Sequence, residues 1–170
     1  GLGLQMVSVA RWAKARVVAV DVRPEKLGAC RGAGAEEIID ASAGEMVDAL
    51  MAVTGGRGAD VVIDFVASQK SLKDGTRALA KGGRLAILGG GGIDNSFSIS
   101  GNWLKSGERE ILGSRYVTRD EVRESLEIVA RGELWPIVTE TCPLAEVEAL
   151  HQRIEAGLVT GRAAVIVNQT

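Results

Sequence analysis

The chain has 170 residues, 46% hydrophobic and 25% charged, with a formal net charge of -2 at pH 7. That length suits one ordinary domain with a core, or one domain plus a substantial appendage, and falls short of a complete two-domain enzyme. The near-neutral balance excludes an electrostatic drive toward nucleic acid or anionic membrane, no apolar stretch approaches the roughly 18 residues of a membrane span, and the start lacks a basic segment leading into a hydrophobic run, so a cytoplasmic protein is expected.

Short, fully apolar runs alternate with longer segments of helical spacing, the pattern of a parallel sheet covered on both faces by helices. The opening GLGLQMVSVARWAKARVVAVD reads as the end of a glycine turn, a helix over LQMVSVARWAKA, a strand RVVAV and the acid Asp21. Pro24 then suits a first helical position, and Gly32 and Gly34 can stop that helix before the strand EEIID. Ser42 and Glu45 predict a capping box, with Met46, Val47, Leu50 and Met51 at helical spacing until TGGRG ends the segment. The strand ADVVIDFV follows. Ser68 is the expected cap of the next helix, which puts Leu72 and Leu79 on one face and stops at Gly82 and Gly83.

After the strand GRLAILG, the run GGGGIDNSFSISG predicts a turn into a short edge strand at SFSIS, with Phe97 and Ile99 on one face. REILGS is the next strand. Thr118 and Glu121 predict a capping box opening a helix whose Val122, Leu126 and Val129 face one way and which Gly132 closes. A last helix is expected to start near Pro143 with Leu144, Val147, Leu150 and Ile154 inward, before the terminal strand RAAVIV.

The opening stretch carries the chemistry. In a dinucleotide-binding βαβ unit only glycine lets backbone N–H groups approach a pyrophosphate closely, and the helix N-terminus adds its partial positive charge. Gly1 and Gly3 can be the last part of such a turn, and Asp21, 18 residues after Gly3, stands where a carboxylate accepts hydrogen bonds from the adenosine ribose. A G-x-G fragment alone says little; the helix, strand and acid that follow in the motif's order give it weight. A carboxylate there repels a 2′-phosphate, which points to NAD over NADP, while Arg23 reads either as a phosphate partner or as a solvated loop charge. Cys30 and Cys142 have no second Cys or His at ligand spacing, so no metal site is written here, and the lone His151 reads as a packing or surface residue.

The segments GLG…VVAVDVRPEKL, TGGRGADVVIDFVAS, ALAKGGRLAILG, GSRYVTRDEVRESLEIVARGEL and PLAEVEALHQRIEAGLVTGRAAVIV together resemble the coenzyme-binding domain and C-terminal tail of the medium-chain, zinc-type alcohol dehydrogenases. The resemblance covers the whole chain and is most specific in the tail. It implies an α/β, doubly wound parallel (Rossmann) sheet lacking its first strand, with residues 1–114 as the coenzyme domain and 115–170 as a helix-strand tail that packs with an absent catalytic domain. It also implies that Gly1, Leu2 and Gly3 face the pyrophosphate and nicotinamide, that Asp21 and Lys26 hold the adenosine ribose, and that Val66 flanks the adenine, although Val66 reads equally as a strand-end hydrophobe. Leu88, Gly89 and the stretch Gly113 to Arg115 are to present backbone groups at the nicotinamide end. Arg162 is to reach the pyrophosphate, the alternative being a surface arginine at a turn.

The implied activity is hydride transfer between an alcohol or carbonyl substrate and nicotinamide. The resemblance leaves zinc possible in the full-length protein, and no ligand or catalytic residue is assigned in this chain, which is expected to be inactive alone. The implied assembly is a homodimer or homotetramer. The alternatives are a zinc-free quinone or enoyl reductase of the same superfamily, or a stand-alone NAD-binding module without turnover.

Overall fold

Several helices begin or end where a specific residue fixes them, in a computed structural model that describes residues 1–90 and 96–167. Helix α1 (Leu2–Trp12) has Gly1 as its N-cap and buries Leu4 and Val7. It starts two residues before the expected Leu4, because the Gly1 carbonyl already accepts the Gln5 N–H at 3.4 Å; Gly3 therefore lies in the first helical turn. Strand β1 (Val18–Asp21) ends on the acid. Pro24 opens α2 (Pro24–Gly32), where a missing N–H costs nothing, and Gly34 at φ +109° turns the chain toward β2 (Glu37–Asp40), which pairs with β1.

The capping box expected of Ser42 and Glu45 does not form. The Asp40 carboxylate accepts both the Ser42 N–H at 2.8 Å and the Ser42 hydroxyl at 2.6 Å, so the serine serves the turn behind it. Helix α3 (Met46–Val53) starts after Glu45 without a side-chain cap and buries Val47 and Leu50. The Ser42 hydroxyl, then its N–H, hold the Asp40 carboxyl below its ordinary pKa.

Strands β3 (Ala59–Asp64), β4 (Leu79–Ile87) and β5 (Glu110–Gly113) form an all-parallel sheet with β4 in the middle. A central strand with helices on its faces is apolar on both sides, and Leu85 in β4 is 0% exposed, packed with Leu72, Leu79 and Ala67. Helix α4 (Gln69–Arg77) makes the crossover from β3 to β4, capped as expected by Ser68, which exchanges hydrogen bonds with Ser71. Its Gly75 lets helix and sheet approach: a β-carbon there would meet Val62 Cγ1 at 3.2 Å and Leu85 Cδ1 at 3.4 Å.

The helix ends at Arg77, earlier than expected. Leu79 therefore heads β4 and reaches the same core as Leu72 from the sheet, while Gly82 and Gly83 lie within the strand. Leu79 pairs with Ala59 but Arg84 pairs with Val61, so residues 80–83 bulge from the ladder.

Residues 91–95 of the expected glycine turn lie outside the described residues, and residues 96–100 form no strand, contrary to expectation. Phe97 packs onto the Leu85 core instead, and the Ser100 hydroxyl caps a short helix, α5 (Gly101–Ser106), by accepting the Trp103 N–H at 3.3 Å.

Helix α6 (Arg119–Ala130) begins right after Thr118 and is closed by Gly132 at φ +71°. Val122 and Leu126 of its apolar face are exposed, Leu126 at 64%. A strand that the sequence reading did not anticipate, β6 (Val138–Pro143), pairs in parallel with β7 (Arg162–Ile166). Pro143 thus ends a strand rather than starting a helix; a 3-10 turn, Leu144–Glu146, precedes α7 (Val147–Glu155). That short helix buries Leu150, whereas Leu144, displaced into the turn, and Ile154 are exposed.

By contacts the chain forms two units, one of Gly1–Ala19, Arg23–Ile38 and Arg119–Thr170, the other of Val20–Val22 and Ile39–Thr118. The first has its own apolar cluster of Val7, Ala19 and Ala35, against which Val17 and Cys30 pack. Among the described residues no helix is long and apolar enough to cross a membrane.

Candidate functional site

In the unit built on β3, β4 and β5, register aligns Asp64 with Ile87 and Ile87 with Gly113, so the three strands end in one row. Open parallel sheets bind ligands beyond this carboxyl edge. Val66, Leu88, Gly89, Gly113 and Arg115 all lie on it or on the segments leaving it.

Asp64 organises that edge. Its Oδ1 accepts the N–H of Val66 at 2.8 Å and of Ala67 at 2.9 Å, and its main-chain carbonyl accepts the N–H of Leu88 at 2.9 Å and of Gly89 at 3.1 Å. Those bonds hold Ala67 at φ +50°, a left-handed conformation that is costly for a residue with a side chain. They also bring the two loops so close that a β-carbon at Gly89 would overlap the Phe65 carbonyl, so only glycine fits. Since Leu88 and Gly89 donate to Asp64, the backbone groups they can offer a ligand are carbonyl oxygens. Asp64 Oδ2 is buried with no hydrogen-bond partner among the described residues.

Around this frame Val66 presents an apolar side chain that is 69% exposed. The Ser114 N–H donates to the Ile87 carbonyl at 3.0 Å, which fixes the exit from Gly113. Arg115 stacks on Tyr116, 4.7 Å from the ring centroid, and donates to its hydroxyl at 3.1 Å. Asp21, the last residue of β1, is half-buried, and its carbonyl accepts the Ala41 N–H at 3.0 Å.

The other unit brings Gly1 and Arg162 together. A β-carbon on Gly1 would lie 3.5 Å from the Gly161 carbonyl oxygen and 3.9 Å from Arg162 Nη1, so a guanidinium stands beside the start of α1. No side chain caps that helix and no acid occupies its first turn. Leu2 and Gly3 belong to the same turn, and Lys26 lies in the first turn of α2. Arg162 is placed by β7, where its N–H donates to the Ile137 carbonyl at 3.1 Å. Gln5 then ties α1 to the same residue: its Nε2 donates to the Ile137 carbonyl at 3.0 Å and its Oε1 accepts the Ile137 N–H at 2.9 Å. Arg23, read from sequence as a phosphate partner or a solvated charge, donates to the Gly157 carbonyl at 3.0 Å.

Residues 1–131 match a protein family described as zinc-binding dehydrogenase. The chain belongs to the zinc-binding dehydrogenase family. It is 30% identical over 167 residues to an NAD-dependent alcohol dehydrogenase of Sulfurisphaera tokodaii, an alignment covering 98% of this chain and 48% of the relative. An alcohol dehydrogenase of Geobacillus stearothermophilus is 30% identical over 162 residues, 95% of this chain and 46% of that one. The crystal structure of the alcohol dehydrogenase of Aeropyrum pernix superposes with a TM-score of 0.84 at 32% identity, over 96% of this chain and 46% of the other. The chain thus spans about half the length of the curated relatives it matches, and its α/β fold with parallel sheets is that of alcohol dehydrogenase Rossmann domains.

Despite the family's title, no group of three His, Cys, Asp or Glu among the described residues could hold a metal ion. Cys30 and Cys142 are not joined in a disulfide, and His151 is exposed on α7.

Two residues that shape the sites escaped the sequence reading. Asp64 was legible in principle, as an acid ending a strand two and three residues before the amides it accepts. Gln5 was not, since its partner lies 132 residues away. Gln5→Ala removes both of its half-buried bonds and is expected to lower stability by about 1–3 kcal/mol, read from urea denaturation of the purified chain. Gln5→Glu, which keeps the acceptor and loses the donor, should fall between the two; an unchanged midpoint in Gln5→Ala would show that Ile137 is held by other means.

Proposed function

We propose that the chain is the NAD-binding part of an alcohol dehydrogenase-like oxidoreductase that moves a hydride between an alcohol or carbonyl substrate and nicotinamide. The observation that carries this reading is the Arg162 guanidinium beside the uncapped start of α1. Helix amides and a bidentate cation together suit a pyrophosphate. Bound NAD supplies the hydride acceptor, and the chain's residues bind and orient it.

In this reading Gly1, Leu2, Gly3 and Arg162 take the pyrophosphate, and Asp21 with Lys26 takes the adenosine ribose. Val66 lies against the adenine. Leu88, Gly89 and Gly113 to Arg115 meet the nicotinamide end, where carbonyl oxygens suit the two N–H groups of a carboxamide. The domain from 1 to 114 is the coenzyme domain and 115–170 packs with a catalytic domain. The cytoplasm as location and a homodimer or homotetramer as assembly belong to the same proposal. Among the described residues no group of His, Cys, Asp or Glu fits a zinc site. NAD is favoured over NADP by Asp21 and by the engagement of Arg23 with the Gly157 carbonyl.

Titration by cofactor fluorescence tests the proposal. NADH is expected to bind more tightly than NADPH, and Asp21→Ala to weaken NADH about tenfold, the loss of one hydrogen bond to a charged group, so that the gap narrows. Equal affinity for both cofactors in the parent chain would remove Asp21 from the ribose.

A further inference from the structure

At the amino ends of the β3, β4 and β5 strands, the edge opposite the one just described, the second unit has a cavity of about 420 Å³. Four cationic side chains line it: Arg57, Arg77, Lys81 and Arg109, with Met51 and Gly56 beside them. Its volume is in the range of small-molecule sites.

The charges do not cancel. Arg57 is neutralised by Asp60, with bonds of 2.8 and 2.5 Å. Asp74 gives its closest contact to Lys70 at 2.5 Å and stands 3.9 Å from Arg77. Glu110 pairs with Arg84 at 3.4 Å. Lys81 and Arg109 have no acidic partner among the described residues.

Arg109 is held in place. It is half-buried, its guanidinium stacks 4.1 Å from the Trp103 ring centroid, its Nη1 donates to the Trp103 carbonyl at 3.1 Å, and its Nε donates to the Leu79 carbonyl at 3.4 Å. Gly107 makes room for it, since a β-carbon there would overlap the guanidinium. These bonds use Nε and Nη1 and leave Nη2, so the fork is pre-oriented with donors to spare. Unpaired cations converging on a concavity repel one another until an anion enters.

We propose that this cavity is a second, anion-binding site, distinct from the cofactor residues, that takes an oligophosphate group. Several tetrahedral, negatively charged centres in a row match cations spread around a cavity better than one small anion does. The proposal is independent of the reading of Gly1, Asp21 and Arg162.

Calorimetric titration of the purified chain with sodium tripolyphosphate at low ionic strength is the test. Saturable 1:1 binding is expected, weakened at least about tenfold by Lys81→Ala and by Arg109→Gln, each of which removes a charged donor. Lys81 is exposed, so its variant reports even if Arg109→Gln fails to fold. Arg84→Ala, which removes a cation outside the cavity, should leave the affinity unchanged. In a parallel titration, tighter binding of ATP than of tripolyphosphate identifies a nucleotide tail as the source, and equal binding identifies inorganic oligophosphate. Absence of saturable binding, or equal losses in Lys81→Ala and Arg84→Ala, would overturn the proposal.

Discussion

Asp64→Ala is expected to lower the free energy of unfolding by about 2–6 kcal/mol, since it leaves two amides at a largely buried position without their acceptor at about 1–3 kcal/mol each. The bonds at stake are those from Val66 at 2.8 Å and Ala67 at 2.9 Å to Oδ1. Ala67 adds to the loss, because its left-handed backbone at φ +50° is maintained only while both amides are held. A decrease of that size is a large part of a typical domain stability of about 5–15 kcal/mol. Urea denaturation followed by far-UV circular dichroism measures it. Asp64→Asn keeps the accepting oxygen and is expected to lose much less, which separates hydrogen bonding from charge. A midpoint in Asp64→Ala equal to that of the parent would mean that the loop after β3 is not organised by this carboxylate.

Leu85→Ala is expected to cost about 2–5 kcal/mol, the range for deleting a buried leucine side chain and leaving a cavity. The upper part of the range is expected because Leu85 is fully buried in the central strand, with Leu72 of α4 and Leu79 and Ile87 of its own strand around it. A second substitution makes the test sharper. Gly75→Ala alone should destabilise, because its methyl group would meet Val62 Cγ1 at 3.2 Å and Leu85 Cδ1 at 3.4 Å. In the Leu85→Ala background one of those contacts is gone and space has opened, so the double variant should be more stable than the sum of the single losses. Strict additivity would place Gly75 and Leu85 out of contact.

Both predictions rest on the sheet that was most legible in the sequence. Runs such as DVVID and RLAIL are short, rich in branched aliphatic residues and preceded by glycines, the pattern of parallel strands, although Val61 stays 51% exposed. The glycine and proline signals at Pro24, Gly34 and Gly132 also located their helix ends, since each acts through its own backbone. The failures have different physical causes. Ser42 met a nearer partner in Asp40, which a motif of serine and glutamate cannot register. Strand β6, VTETCP, is mostly polar and ends on a proline that suits a helix start equally well. Helix α5 has six residues, too few for a helical period to show. For the candidate site, the residues proposed to face the ligand were legible because the turn and strand ends expose them, whereas Gln5 and Asp64, which set their positions, act through bonds that only the folded chain reveals.

The Gln5 clamp has a consequence in time. Its two bonds join positions 132 residues apart, and at a synthesis rate of roughly 5–20 residues per second about 7 to 26 s pass on the ribosome between Gln5 and Ile137. The β3, β4 and β5 strands, drawn from one nearly continuous stretch, are complete well before that. Helix α1 meets Ala19 and Ala35 early through Val7, whereas the Gln5 bonds to Ile137 are among the contacts with the largest loop to close. The crossovers of the sheet unit are local and need no such wait, while the Gln5 clamp can close only once Ile137 has been made.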